Sequence, residues 1–127
     1  MDLKEYFEKT EGIGILSTAD EKGDVDSAIY ARPRITGPDT LAFLMRPRRS
    51  YANLQTNPRA VYMFIEHAPG YRGKRIYLDM IDEESDPNEI EKARQSDHAH
   101  GVDAGQAKLV TFQITGARPL VGDQTED

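Results

Sequence analysis

The chain has 127 residues, one domain's length, and a domain of this size buries roughly two-thirds of its unfolded surface. With 38% hydrophobic and 30% charged residues the core is thin, a composition that suits a soluble protein completed by a partner subunit. A net charge of −6 argues against general nucleic-acid affinity, and the absence of cysteine excludes a disulfide framework or a thiolate metal site.

In chain order, Asp2 to Lys9 reads as a short helix with Leu3, Tyr6 and Phe7 on one face. This amphipathic, charged start lacks the apolar centre of a signal peptide. No apolar run anywhere approaches membrane-spanning length, so the expected location is the cytoplasm. Gly12 to Thr18 reads as a strand, and Asp20-Glu21-Lys22-Gly23 as a turn with glycine where positive φ is needed. Val25 to Ile35 is the second strand. Thr36-Gly37-Pro38-Asp39 turns into a third, Thr40 to Arg46. Ser50 to Thr56 reads as a short helix stopped by Asn57-Pro58, because a residue before proline is pushed out of the helical region. Ala60 to Ile65 is a continuous apolar run, expected to be a strand buried on both faces, and Lys74 to Ile81 is another strand. Asp86-Pro87-Asn88-Glu89 has the cap, the first-turn proline and the capping-box glutamate of a helix start. Leu109 to Thr115 alternates, with Val110, Phe112 and Ile114 on one side, and residues 122–127 read as a frayed polar tail. Six strands with tight turns and short helices predict a mainly β, antiparallel barrel or sandwich rather than a doubly wound sheet.

The charge is unevenly placed. Between Ser27 and Ile65 six arginines (Arg32, Arg34, Arg46, Arg48, Arg49 and Arg59) stand against one acid, Asp39; that net +5 leaves −11 for the rest of the chain. A local positive patch on an acidic protein points to a small anionic ligand more than to a long polyanion. In the second strand Ala28, Tyr30, Arg32 and Arg34 share one face, and Ile29, Ala31, Pro33 and Ile35 share the other. Pro33 cannot donate to a ladder, so the strand is at an edge or bulged there. After the third strand, Arg46-Pro47-Arg48-Arg49-Ser50 leads into a helix. A helix start offers unpaired N–H groups and partial positive charge to an anion, arginine adds a planar fork for phosphate oxygens, and Ser50 caps the helix or bonds the anion. The expected ligand is a phosphate monoester held by Arg48, Arg49 and Ser50, with Arg32 or Arg46 reaching across.

Gly14-Ile15-Leu16-Ser17-Thr18, Lys22-Gly23, Ala28 to Pro33, Arg48-Arg49-Ser50 and Asn53-Leu54-Gln55-Thr56-Asn57-Pro58 resemble the FMN-binding split-barrel proteins related to pyridoxamine 5′-phosphate oxidase. Tyr71-Arg72-Gly73-Lys74-Arg75 before a strand is similar to the small stand-alone members. The resemblance implies a six-stranded antiparallel split barrel, a homodimer, and one FMN in each of two clefts between subunits. It implies that Ala28, Ile29, Tyr30, Ala31 and Arg32 line the isoalloxazine ring. It places the phosphate on Arg48, Arg49 and Ser50, with Asn53 one turn on. Members often carry lysine in the phosphate cluster, whereas this chain has none between Lys22 and Lys74. The oxidase proper has a C-terminal extension with arginine and tryptophan; this chain has no tryptophan, so pyridoxamine 5′-phosphate oxidation itself is not expected.

Other signals are weaker. Gly12-Ile13-Gly14 has Ser17 where a dinucleotide fingerprint needs its third glycine, and reads as a strand permitting close packing. His98 and His100 read as an exposed helix end rather than a metal site, and His67 as a loop residue. The seven acids from Asp79 to Glu91 read as a solvated, repulsive edge. Tyr30 and Tyr51 are expected to flank the site. The expected function is an FMN-dependent oxidoreductase acting on a small molecule with an unidentified electron donor; no residue stands out as its acid or base. The rivals are a flavin store without turnover, a barrel binding single-stranded nucleic acid, or one binding haem or a deazaflavin.

Overall fold

The computed structural model describes residues 2–96 and 107–124. Helix α1 (Leu3–Lys9) starts at Asp2, whose carboxylate accepts from the Glu5 N–H at 3.1 Å. Then come β1 (Gly12–Ala19), β2 (Val25–Ile29), β3 (Arg34–Ile35), β4 (Thr40–Met45), α2 (Arg49–Thr56), β5 (Arg59–Glu66), β6 (Gly73–Glu84), α3 (Pro87–Ser96) and β7 (Lys108–Pro119). His98 and His100 lie outside the described residues. Among the described residues, no helix is long and apolar enough to cross a membrane.

All pairings are antiparallel, and the described strands form one seven-stranded sheet in the order β2-β1-β5-β6-β7-β4-β3. Consecutive strands β2 and β3 are therefore its two opposite edges. Were the sheet flat, those edges would stand about 29 Å apart, six spacings of ~4.8 Å. The link from Ile29 to Arg34 spans at most roughly 18 Å, five Cα steps of ~3.6 Å. The sheet must curl until its edges approach, so covalent chain rather than a hydrogen-bonded ladder closes the barrel.

This corrects the expected strand count from six to seven. The predicted strand Val25 to Ile35 is two edge strands, broken at residues 30–33. Pro33 supplies no N–H there, and the carbonyls of Tyr30 and Ala31 accept from a side chain instead of a neighbouring strand. The glycine turn is as expected: Gly23 has φ 88° and its N–H donates to the Asp20 carbonyl at 3.1 Å.

The barrel interior is filled from β1, β4, β5, β6 and β7: Leu16, Leu41, Phe43, Met45, Tyr62, Phe64, Ile76, Leu78, Val110 and Phe112 are buried in one cluster. Phe7 of α1 plugs it, edge-to-face with Phe64 at 5.2 Å, and Leu54 joins from α2. The strand buried on both faces is β4, not the expected Ala60–Ile65 run. Leu41, Phe43 and Met45 point inward, while Leu44 on the opposite face packs with Ile90 and Ala93 of α3. Among the described residues no helix covers the outer face of β5, so only the inward Ala60, Tyr62 and Phe64 are buried there, and Val61, Met63 and Ile65 face outward partly buried.

Two helix starts also differ from expectation. In α3 the Asp86 side chain accepts from the Asn88 N–H at 3.0 Å, but the Asp86 N–H donates to Glu84 rather than to the capping-box Glu89. In α2 the first helical residue is Arg49 and Arg48 occupies the cap position without a side-chain capping bond, so Ser50 is not the cap. The acidic stretch lies on a sheet overhang: β5 pairs with β6 only as far as Asp79, so among the described strands the acids from Asp82 to Glu84 have β7 alone as a ladder partner, while Gln55 of α2 reaches the Glu83 carboxylate at 3.4 Å.

Candidate functional site

The crossing between the two sheet edges, the β3–β4 hairpin and the start of α2 enclose a cleft of about 460 Å³. It is lined by Ala28, Ile29, Tyr30, Ala31, Arg32, Arg46, Arg48, Arg49 and Ser50, so the structure brings together nine of the ten residues singled out from the sequence. It adds Asp26, Arg34 and the apolar wall Ala42, Phe43 and Leu44. Strand alternation had already put Arg34 on the face of Tyr30 and Arg32. The wall carried no signal beyond being an apolar strand.

The tenth residue, Asn53, does not line the cleft. It is buried, and its side-chain amide donates to the Thr18 hydroxyl at 3.0 Å, fastening α2 to β1. Tyr51 also lies outside the cleft. It packs against the core, and burial together with the neighbouring Glu83 carboxylate pushes its phenol above the ordinary range.

The crossing segment is held tightly. The Tyr30 N–H donates to the Gly14 carbonyl at 2.9 Å. The Tyr62 hydroxyl, on a fully buried side chain, donates in a shared bond to the carbonyls of Tyr30 (3.1 Å) and Ala31 (3.2 Å). Burial pushes the Tyr62 phenol far above its ordinary value, with the Arg32 charge opposing, so it stays a donor. Gly14 makes the approach possible: a Cβ there would overlap the Tyr62 hydroxyl and come within 2.7 Å of the Tyr30 carbonyl oxygen. The reading of Gly12-Ile13-Gly14 as a close-packing strand thus has its physical reason, and Gly14 and Tyr62 are supports that the sequence reading did not connect to the site.

Arg32 serves the scaffold as well. Its Nη1 donates to the carbonyls of Phe7 (2.9 Å) and Thr10 (2.8 Å) at the C-terminal end of α1, where carbonyls lack helical partners and the helix dipole favours a cation. The cross-cleft reach expected of Arg32 is therefore replaced, for that nitrogen, by a helix-end contact.

At the other end of the cleft, the Ala52 N–H reaches the Arg48 carbonyl at 2.9 Å, the first turn of α2. The N–H groups of Arg49, Ser50 and Tyr51 precede any i−4 partner within the helix. Arg48 and Arg49 are exposed, whereas Ser50 is buried. Tyr30 packs on Phe43 at 5.7 Å and its phenol interacts with the Ser50 hydroxyl. Burial raises the Tyr30 phenol above its ordinary value, with the Ser50 bond pulling down, Asp26 pushing up and Arg48 pulling down. At neutral pH Tyr30 therefore remains protonated and able to donate. The cleft combines a cationic, donor-rich end with flat apolar walls, a donor set that fits an aromatic ring system carrying a phosphate.

No family model matches the sequence, and no curated protein matches it either. Solved structures do. An FMN-binding protein from Syntrophomonas wolfei subsp. wolfei superposes with a TM-score of 0.76 at 19% identity, over 95% of this chain and 85% of that one. HupZ of Group A Streptococcus gives 0.75 at 14% identity, over 99% and 97%. A putative pyridoxamine 5′-phosphate oxidase from Lactobacillus delbrueckii gives 0.71 at 14%, over 93% and 92%. The open seven-stranded sheet closed by the 30–33 crossing is accordingly the split-barrel fold of the FMN-binding proteins similar to pyridoxamine 5′-phosphate oxidase.

Proposed function

We propose that this protein is a cytoplasmic, homodimeric FMN-binding oxidoreductase that acts on a small molecule. The observation that carries the reading is the composition of the cleft: Arg48, Arg49 and Ser50 at the start of α2, beside walls made by Ala28, Ile29, Ala31, Phe43 and Leu44. Arg48 and Arg49 supply charge and forked donors to the phosphate, and the first N–H groups of α2 add to them. Ser50 and Tyr30 supply neutral donors. The walls offer apolar contact surface to a flat ring. When bound, the flavin supplies the electron-transfer chemistry, and the protein supplies position and electrostatics.

The homodimer has its own support. On the outer face of the sheet Ile15 stands opposite both Ile29 and Met63, and Ile13 opposite Ile65. Ile29 is 76% and Val25 80% exposed, an apolar stripe across β2, β1 and β5 next to the cleft. A second copy covering this stripe would also complete the cleft wall formed by Ile29. The cysteine-free sequence fits a reducing compartment.

A second reading, a flavin store without turnover, is favoured by one feature. Among the described cleft residues, Asp26 and Tyr30 are the only groups other than arginine able to exchange a proton. Adding FMN to the purified protein and then a reduced nicotinamide tests both. Yellow protein that oxidises the nicotinamide supports the oxidoreductase, yellow protein inert to it supports the store, and failure to take up FMN contradicts both. Gel filtration at the dimer mass, reduced to the monomer mass by Ile15→Asp, tests the interface.

A further inference from the structure

The segment that lines the cleft is fastened by side chains, and two of those fasteners lead to α1. Residues 30–33 belong to neither a strand nor a helix. Tyr62 donates to the carbonyls of Tyr30 and Ala31, and its ring meets Phe7 of α1 edge-to-face, with centroids 6.2 Å apart. Arg32 lies in the segment and borders the cleft, while its Nη1 holds the Phe7 and Thr10 carbonyls at the end of α1.

The helix itself depends on its docking. It spans seven residues, and a helix this short is not stable in water alone, so α1 is helical only while it is docked. Its anchors at the barrel end include Phe7 in the core, the Tyr6 hydroxyl on the Glu66 carboxylate at 2.6 Å, and the Lys74 ammonium 5.0 Å from the centre of the Tyr6 ring. None of these four residues lines the cleft, whereas Arg32 both borders the cleft and bonds to α1. Undocking of α1 would free the Arg32 guanidinium and withdraw Phe7 from Tyr62, so residues 30–33 would lose support from both fasteners at once.

We propose that α1 is a two-state strap and that Arg32 is the positioning residue that couples it to the cleft. Docking of α1 fixes residues 30–33, and a flavin lying against those residues favours the docked helix. This rests on the FMN reading and deepens it, adding a conformational control to the same site. The coupling is reciprocal: the factor that docking adds to flavin affinity is the factor that flavin adds to docking.

The test follows hydrogen–deuterium exchange of α1 in the full chain, without FMN and with FMN at saturation. In the wild type FMN should slow exchange of the Tyr6 amide, which bonds the Asp2 carbonyl, by about tenfold, a typical size for coupled sites. Arg32→Gln should speed exchange in α1 and remove most of the FMN effect, and it should weaken FMN and riboflavin by the same factor. Arg32→Lys should restore part of the FMN effect, because an ammonium can still hold one of the two carbonyls. A merely structural Arg32 would speed exchange in Arg32→Gln but leave the FMN effect at full size, which would overturn the proposal. So would a loss of FMN affinity that spares riboflavin, since that would put Arg32 on the phosphate. If Arg32→Gln fails to fold, Phe7→Leu decides: it weakens docking from outside the cleft and must lower FMN and riboflavin affinity equally. Unchanged affinities in Phe7→Leu would overturn the proposal. A chain that takes up no flavin overturns the cofactor reading and this proposal with it. Flavin uptake with no change in α1 exchange overturns this proposal alone.

Discussion

The two ends of the cleft are built by opposite means. Around the crossing 30–33, main-chain groups are fixed by buried partners: Gly14 beneath, Tyr62 behind, Arg32 tied to α1. At the start of α2 the backbone is anchored from below by the buried Asn53 and Leu54, while Arg48 and Arg49 project into solvent. The contrast teaches that shape and affinity are separable here. Changes at the crossing act on the barrel first, and changes at the helix start act on the ligand alone.

The largest effect expected is at Gly14. In Gly14→Val the side chain meets the Tyr62 hydroxyl and the Tyr30 carbonyl, neither of which can yield without opening the crossing. Denaturant unfolding should show a loss on the order of 3–4 kcal/mol, the upper range for overpacking joined to a broken hydrogen-bond network. Arg49→Glu should do the reverse. Its unfolding midpoint stays at the wild-type value, while FMN affinity falls on the order of 100-fold, since a forked contact is lost and a repelling charge gained. A large stability loss in Arg49→Glu would break the comparison.

Tyr62→Phe sharpens it. The ring packing survives, but the Tyr30 and Ala31 carbonyls lose their shared donor, so about 1–3 kcal/mol of stability should be lost. Both FMN and riboflavin should then bind more weakly, because the cleft wall itself loosens. The smallest effect is expected for Tyr30→Phe, which keeps the contact with Phe43 and removes the hydroxyl beside Ser50. FMN should bind a few-fold more weakly and riboflavin as before, the scale of one neutral hydrogen bond. Equal losses for the two ligands would move Tyr30 from the phosphate end to the ring.

Much of this was legible in the residues, for local reasons. Arg48-Arg49-Ser50 was placed at a helix start, where the structure has it, and alternation puts Tyr30, Arg32 and Arg34 together. Pro33 marked the place where the strand fails as a ladder. What the pattern could not show was that the two halves of Val25 to Ile35 go to opposite edges of one sheet, because that depends on the whole strand order. Likewise the apolar run Ala60 to Ile65 looks doubly buried until the position of α3, over β4 instead, is known. Asn53 and Tyr51 carry ligand-like side chains within one turn of Ser50, but the helix rotates them to the core and toward Glu83. Arg32 is the subtler case: its charge was read as reaching for the ligand, and the partners of its Nη1 are carbonyls at a helix end 22 and 25 positions earlier in the chain, which strand alternation could not reveal.

The central claim is that the start of α2 holds the phosphate of FMN. Equilibrium titration of the purified protein with FMN and with riboflavin, in wild type and in Arg49→Glu, tests it most directly. The account predicts that the wild type turns yellow with FMN and prefers it to riboflavin by about 100-fold, the scale of several charge-assisted hydrogen bonds, and that Arg49→Glu removes most of that preference. Equal binding of FMN and riboflavin by the wild type, or no binding of FMN, would contradict it.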